Sequence, residues 1–244
     1  MSVFRLRRAR AVAWSPHMLT RSVWRAAWDS DRADTITQAG GIVETWVDYL
    51  GGLAPTQVTE ALRPTLDSSG GYPVISAAAG SRYLQALGGV INGVIPTGTD
   101  PSVIFVVARG FTTGNIVSWG GTSAASNRRL GLTGDGSVSL AVGSSGPGFF
   151  VNAPASVVAP TLITGVMTAT DLILRVNGAE IGRVSGAMPS TGTNLIRLFS
   201  NTNGTAGGFG DGAISDLHIT TALSDADILR FEGWLAAKRG LSLP

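Results

Sequence analysis

The chain has 244 residues, 44% of them apolar and only 14% charged, with 33 Gly and no Cys. That is ample material for a core, so intrinsic disorder, a disulfide framework and thiolate chemistry are all excluded. The net charge of +2 is uneven: residues 1–32 carry seven Arg against Asp29 and Asp31, a net of +5, and the remainder is −3.

Arg5, Arg7, Arg8 and Arg10 form a basic arm over residues 1–12. It has no apolar stretch behind it, so it is not a secretory signal. One use for such an arm is phosphate neutralisation on nucleic acid; the other is docking onto an acidic neighbour in an assembly. The arm is short, lacks interleaved aromatics and precedes an acidic body, which favours docking over nucleic acid. No apolar run reaches the roughly 18 residues needed to span a membrane, so no membrane insertion is predicted.

After the arm, residues 13–244 read as one domain without internal repeats. Trp24–Asp29 reads as a strand with bulky residues, followed by a polar loop ending at Gly40-Gly41 and a strand over Ile42–Asp48. Ser102–Ala108 is nearly continuous β-branched and aromatic sequence, which predicts a strand covered on both faces. Further strands are predicted at Ile116–Trp119, Arg129–Leu132, Val138–Val142, Leu162–Met167, Leu172–Val176, Ala179–Gly182 and Leu195–Phe199. Gly134-Asp135-Gly136 and Asn177-Gly178 are hairpin turns by composition. A Gly- and Asn-rich loop over 201–212 leads to a closing strand carrying Ile214, Leu217 and Ile219.

The only long helix comes last. Ser224 and Asp227 make a capping box, Leu223 and Ile228 a hydrophobic staple, and Gly240 a left-handed stop. Asp225 and Asp227 suit the positive end of the helix dipole, and Lys238 and Arg239 the negative end. Ile228, Phe231 and Leu235 recur at helical spacing and predict a buried face. About a dozen short strands with regular turns then indicate an antiparallel β-sandwich or barrel with one C-terminal helix.

Two stretches carry a resemblance. The opening one is Trp28-Asp29-Ser30-Asp31, Asp34-Thr35-Ile36-Thr37, Gly40-Gly41 and Val43-Glu44-Thr45-Trp46-Val47-Asp48; the closing one runs from Leu223 to Ile228, through Phe231-Glu232-Gly233-Trp234-Leu235-Ala236, to Lys238-Arg239-Gly240-Leu241. Together they resemble the first and last motifs of laminin-G-like, concanavalin-A-like jelly-roll domains, which are frequent in bacteriophage virion proteins and bacterial surface proteins. Ala54-Pro55-Thr56-Gln57 and Arg63-Pro64-Thr65 fit the same pattern. The chain departs from it at Val74–Leu84, where the family's acidic F-D-G-x-D-D-Y-L-like turn is missing its carboxylates while Tyr83-Leu84 remain.

Catalytic chemistry is sparse. Glu44, Glu60, Glu180 and Glu232 are the only glutamates, and none shows the E-x-D-x-x-E spacing of glucanases on this sandwich. His17 and His218 form no metal-protease pattern, and no serine elbow or phosphate loop is present. The expectation is a non-enzymatic protein with no required cofactor. Calcium is the ion that some laminin-G-like domains take, with Asp29, Asp31 and Asp34 as the candidate ligands here; Asp135 and Asp211 are a second choice, and loop or turn polarity is the competing account of all five. For glycan, one candidate cluster is Trp119 with Asn115, Asn127, Arg128 and Arg129, and another is Asn201 and Asn203 in the Gly-rich loop.

The resemblance implies a structural component of a phage or phage-like particle: a fibre, spike or decoration subunit on the virion surface, present in many copies or as a homo-oligomer. Its arm would dock on other virion proteins, and its exposed loops would contact host polysaccharide. The alternatives are a free or cell-surface lectin-like carbohydrate-binding module and an inactive relative of a glycanase.

Overall fold

The computed structural model describes residues 14–19, 22–50, 52–77, 81–87, 91, 93–122, 126–143, 149–202 and 208–244. The arginines of the N-terminal arm and Asn203 lie outside the described residues.

Among the described residues the strands are β1 (Trp24–Asp29), β2 (Ile36–Ala39), β3 (Ile42–Trp46), β4 (Thr65–Asp67), β5 (Val74–Ser76), β6 (Leu84–Leu87), β7 (Ser102–Arg109) and β8 (Gly114–Gly120). They continue with β9 (Asn127–Leu132), β10 (Val138–Val142), β11 (Phe149–Ala153), β12 (Thr161–Met167), β13 (Asp171–Val176), β14 (Ala179–Ser185), β15 (Leu195–Leu198) and β16 (Ala213–Thr220). The helix α1 spans Asp225–Arg239. The strands exceed the expected dozen in part because short ones such as β2 and β4 show no alternation of buried and exposed residues.

The strands form two antiparallel sheets, a jelly-roll β-sandwich. The larger has ten strands in the order β14-β13-β12-β7-β16-β5-β4-β3-β2, with β1 also paired to β16. The smaller has six, ordered β11-β10-β9-β8-β15-β6. Alternation along β7 sorts its side chains. Ile104, Val106 and Ala108 face the inter-sheet core, while Val103, Phe105 and Val107 face outward under α1. This explains why β7 has no polar residue between Ser102 and Arg109: both of its faces are covered.

The predicted caps of α1 are present. Ser224 Oγ accepts the amide of Asp227, and Gly240 adopts φ 66°. Ile228, Phe231 and Leu235 pack on the outer face of the large sheet, where Phe231 stacks on Phe105 with ring centroids 4.1 Å apart and planes inclined by 8°.

Beside that stack lies His218, fully buried and ringed by Trp24, Tyr49, Phe231 and Trp234 at 5.2–6.3 Å between centroids. Neither ring nitrogen has a hydrogen-bond partner. Burial, opposed by Asp216 and reinforced by Lys238 and Arg239, pushes its pKa down to about 3.

The outer face of β16 also carries Asp216, fully buried and directly opposite Asp29 of β1. Two carboxylates so placed repel. Lys238 Nζ bridges them at 2.7 Å from each. Arg239 bonds Asp216 through Nε and reaches Asp29 at 3.2 Å and Asp31 at 2.9 Å. Burial alone would raise the pKa of Asp216, but the Arg239 hydrogen bond and the two cationic charges outweigh it and hold the carboxyl below its ordinary value.

Two outcomes follow from this packing. Phe231→Ala should cost about 3–5 kcal/mol, read by thermal melting, because it empties a fully buried aromatic site; an unchanged melting temperature would remove α1 from the core. His218 is neutral when folded but takes a proton near pH 6.5 when unfolded, so its contribution is intact above pH 6.5 and is lost as the pH falls towards 3, by about 1.4 kcal/mol per unit. His218→Phe should therefore narrow the difference in melting temperature between pH 8 and pH 5, and an equal difference in both proteins would refute this account.

Candidate functional site

The outer face of the small sheet is the polar one. On β9, Arg128, Leu130 and Leu132 point into the sandwich, whereas Arg129 and Gly131 point outward. Across the ladders Arg129 lies between Ser118 of β8 and Ala141 of β10, and Gly131 lies between Asn115 and Ser139.

Against this face lie residues 199–202 and 208–212, which follow β15. Leu198 ends the strand, one residue earlier than expected, because Phe199 adopts φ 64° and turns the chain. Ser118 Oγ donates to Ser200 O at 2.7 Å, Arg197 donates to Asn201 O at 3.0 Å, and Asn115 Nδ2 donates to Gly208 O at 2.8 Å. Arg197 is itself held by Gln85 and by the face of Tyr83. At the far end Asp211 accepts the amides of Thr112 and Thr113, at 2.9 and 3.3 Å.

Glycines permit this close approach. A Cβ on Gly114, which has φ +83°, would fall 1.9 Å from Phe209 O, and one on Gly210 would fall 2.5 Å from Asn115 O. Backbone thus lies directly on backbone, leaving an open groove of about 440 Å³ alongside. Asn115, Arg129, Gly131, Ser139, Asn201 and Gly208 are among its walls, and no described carboxylate lines it.

The structure therefore merges the two candidate glycan clusters in part. Asn115 and Arg129 come from the first and Asn201 from the second, although about 70 residues separate Arg129 from Asn201 along the chain. Three other members of the first cluster, Trp119, Arg128 and Asn127, do not line the groove. Trp119 is a core residue, fully buried, with Nε1 donating to Pro96 O at 2.8 Å. Arg128 is also fully buried, bonded to Ser102 Oγ at 2.8 Å, and burial lowers its pKa to about 10. Asn127 is buried and ties β9 to the loop through Thr202 Oγ1 at 3.0 Å. Sequence reasoning missed Ser139 and Gly131, which alternation from Leu130 and Leu140 would have placed on the outer face.

The candidate calcium ligands are committed elsewhere. Asp29 and Asp31 face Lys238 and Arg239, so a dication would meet two fixed cations there, and Asp34 pairs with Arg32 at 3.0 Å. Asp135 accepts the Ser137 amide within its hairpin, which is the turn chemistry of the competing account, whereas Asp211 is taken up by a long-range contact to the amides of Thr112 and Thr113. Among the described residues no group of three or more His, Cys, Asp or Glu is placed to hold a metal ion.

No family model matches the chain, and no curated protein matches it by sequence. Solved structures do. Domain 4 of AbnA, a GH43 extracellular arabinanase from Geobacillus stearothermophilus, in complex with arabinotriose, superposes with TM-score 0.60 at 15% identity, over 86% of this chain and 98% of that one. The CBM40 of the Ruminococcus gnavus IT-sialidase, bound to α2,6-sialyllactose, gives 0.52 at 15% identity, over 66% and 96%. A mutant NanB sialidase from Streptococcus pneumoniae gives 0.53 at 10% identity over 63% of this chain, but only 27% of the enzyme is covered. At such identities the likeness is one of fold. It places the chain among β-sandwiches that include carbohydrate-binding modules.

The loop contact is testable by itself. Gly114→Ala combines a left-handed backbone with a backbone clash and should cost about 2 kcal/mol or more. Hydrogen exchange should then show lost protection at the Asn115 amide, which donates to Gly208 O. Retained protection would mean that the loop does not depend on this approach.

Proposed function

We propose that the protein is a non-catalytic carbohydrate-binding module whose sugar site is the groove on the outer face of the small sheet. The observation that carries this is convergence. Asn115, Arg129, Ser139 and Asn201, drawn from four separate parts of the chain, present polar groups to one open groove floored by a sheet. Sugars are recognised by such sets of hydrogen-bonding side chains on a rigid platform, and a groove open along its length admits a polymer. The glycan-bound structures of similar fold support this lectin-like reading over that of a purely structural virion subunit.

A shallow polar site gains little from each contact after desolvation, so one copy should bind weakly, with a dissociation constant on the order of 0.1–1 mM. Display in many copies, as on the particle surface implied by the sequence resemblance, would add factors of about 10² to 10⁴. Docking of such copies through the basic arm belongs to the same proposal.

The experiment is a glycan array probed with the isolated protein and with a multimeric display of it, beside the variant Gly134→Trp. Gly134 stands at the groove wall, and a Cβ there meets nothing within 4 Å, so the indole blocks the groove without burdening the fold. The expected result is binding by the multimer, lost in Gly134→Trp at an unchanged melting temperature. A multimer that binds no glycan, or whose binding survives the blocking residue, would refute the site.

A further inference from the structure

The charge of the groove narrows the class of sugar. Arg129 is the residue concerned, and its role rests on the groove being the glycan site. Most of the described arginines are partnered: Arg63, Arg109, Arg175 and Arg239 each meet a carboxylate at 3.4 Å or less, and Arg25 and Arg82, which have no such contact, line grooves that also hold Asp100 and Glu60. Arg197 is held by Gln85, Asn201 and Tyr83, and even Arg128 in the core finds Ser102 and the carbonyls of Thr97 and Gly98. Arg129 is half-buried, yet among the described residues it has no hydrogen bond, ion pair or stacking partner. Burial acts on it unopposed, lowering its pKa.

A guanidinium drawn partly out of water with no partner is a cost to the fold. It is also a preformed receptor. Its planar fork of donors matches the two oxygens of a carboxylate or phosphate. Here the fork lies in a groove with no described carboxylate to compete for it, and with the Ser139 hydroxyl, also without a partner, on the neighbouring strand. We propose that Arg129 anchors an anionic group on the bound sugar, so that the ligand is an acidic glycan carrying a carboxylate or a phosphate.

The test compares polymers matched except for charge. Polygalacturonate is set against its full methyl ester, with polysialic acid and poly(glycerol phosphate) as further anionic arms that separate sugar acid from phosphate. Binding is measured by titration with the multimeric protein and with Arg129→Gln, Arg129→Lys and Gly134→Trp. At least one anionic polymer should bind tenfold or more tightly than the neutral ester, with affinity falling as salt rises. Arg129→Gln should abolish that preference, and Arg129→Lys should restore part of it. Arg129→Met should melt no lower than the wild type, which separates loss of a ligand contact from loss of fold.

Equal binding of acidic and neutral polymers, lost in Gly134→Trp, would leave the glycan site standing and overturn the acidic assignment. A charge preference that survives Arg129→Gln would overturn the role of Arg129. Failure of every polymer to bind would remove the glycan reading and this inference with it.

Discussion

Asp216 is the constraint on which the large sheet turns. It is a carboxylate with no access to water, on a central strand, opposite a second carboxylate at Asp29. Left alone, such a charge is untenable, since removing one partner from a buried ion pair typically costs about 3–5 kcal/mol. Lys238 and Arg239 make it tenable, and to do so the last turn of α1 must sit over the junction of β1 and β16. The same two cations take up Asp29 and Asp31, while Asp31, being partly exposed, shares its excess charge with solvent. Aromatic rings close the cluster: Tyr72 lies 4.6 Å from the Arg239 guanidinium carbon and Trp234 lies 5.6 Å from Lys238 Nζ. Placement of the helix, closure of the first strand and burial of the Phe105–Phe231 stack are thus coupled.

This arrangement explains why the two motifs that resembled known domains occur at opposite ends of the chain. Trp28-Asp29-Ser30-Asp31 and Lys238-Arg239-Gly240 are the two halves of one ionic contact. Each half was legible in the sequence and the contact was not. Asp29 and Asp31 look like ion ligands because the cation that bonds both, Arg239, lies more than 200 positions away. Lys238 and Arg239 look like dipole complements because any basic residue in a last turn does so. The capping of α1 by Ser224 and Gly240 was readable for the opposite reason, since every participant lies within a few residues of the others.

The same distinction governs the groove. Asn127, Arg128 and Arg129 are neighbours in sequence, but in a strand neighbours face opposite ways. Arg128 shares its phase with Leu130 and Leu132, and that phase marks it as an inner residue despite its charge; Arg129 shares its phase with Gly131 and is outer. What no strand periodicity could supply was the placement of Ser200 and of 208–210 against β8. That placement depends on the left-handed turn at Phe199 and on glycines whose reason for existing is a backbone some 90 residues away.

The two outer faces of the sandwich therefore carry different burdens. On the large sheet, α1 covers the face, the buried Asp216 and Glu232 are matched by Lys238, Arg239 and Arg175, and His218 is held neutral in an aromatic cage. On the small sheet the described covering is irregular chain at 200–202 and 208–210, an open groove lies beside it, and the Arg129 charge there is left unmatched. A buried cation on the first face would need a carboxylate from the protein, as Arg239 and Arg175 have. On the second face solvent reaches the groove, so Arg129 keeps part of its hydration and the cost of leaving it unpaired stays tolerable. Partial covering is thus the physical condition for a site: enough desolvation to strengthen a bond to an arriving anion, and enough access for that anion to arrive. A fold that closed the small sheet with a second helix would gain stability and lose a groove wall on which an unpartnered guanidinium and an unpartnered hydroxyl meet with no described carboxylate beside them.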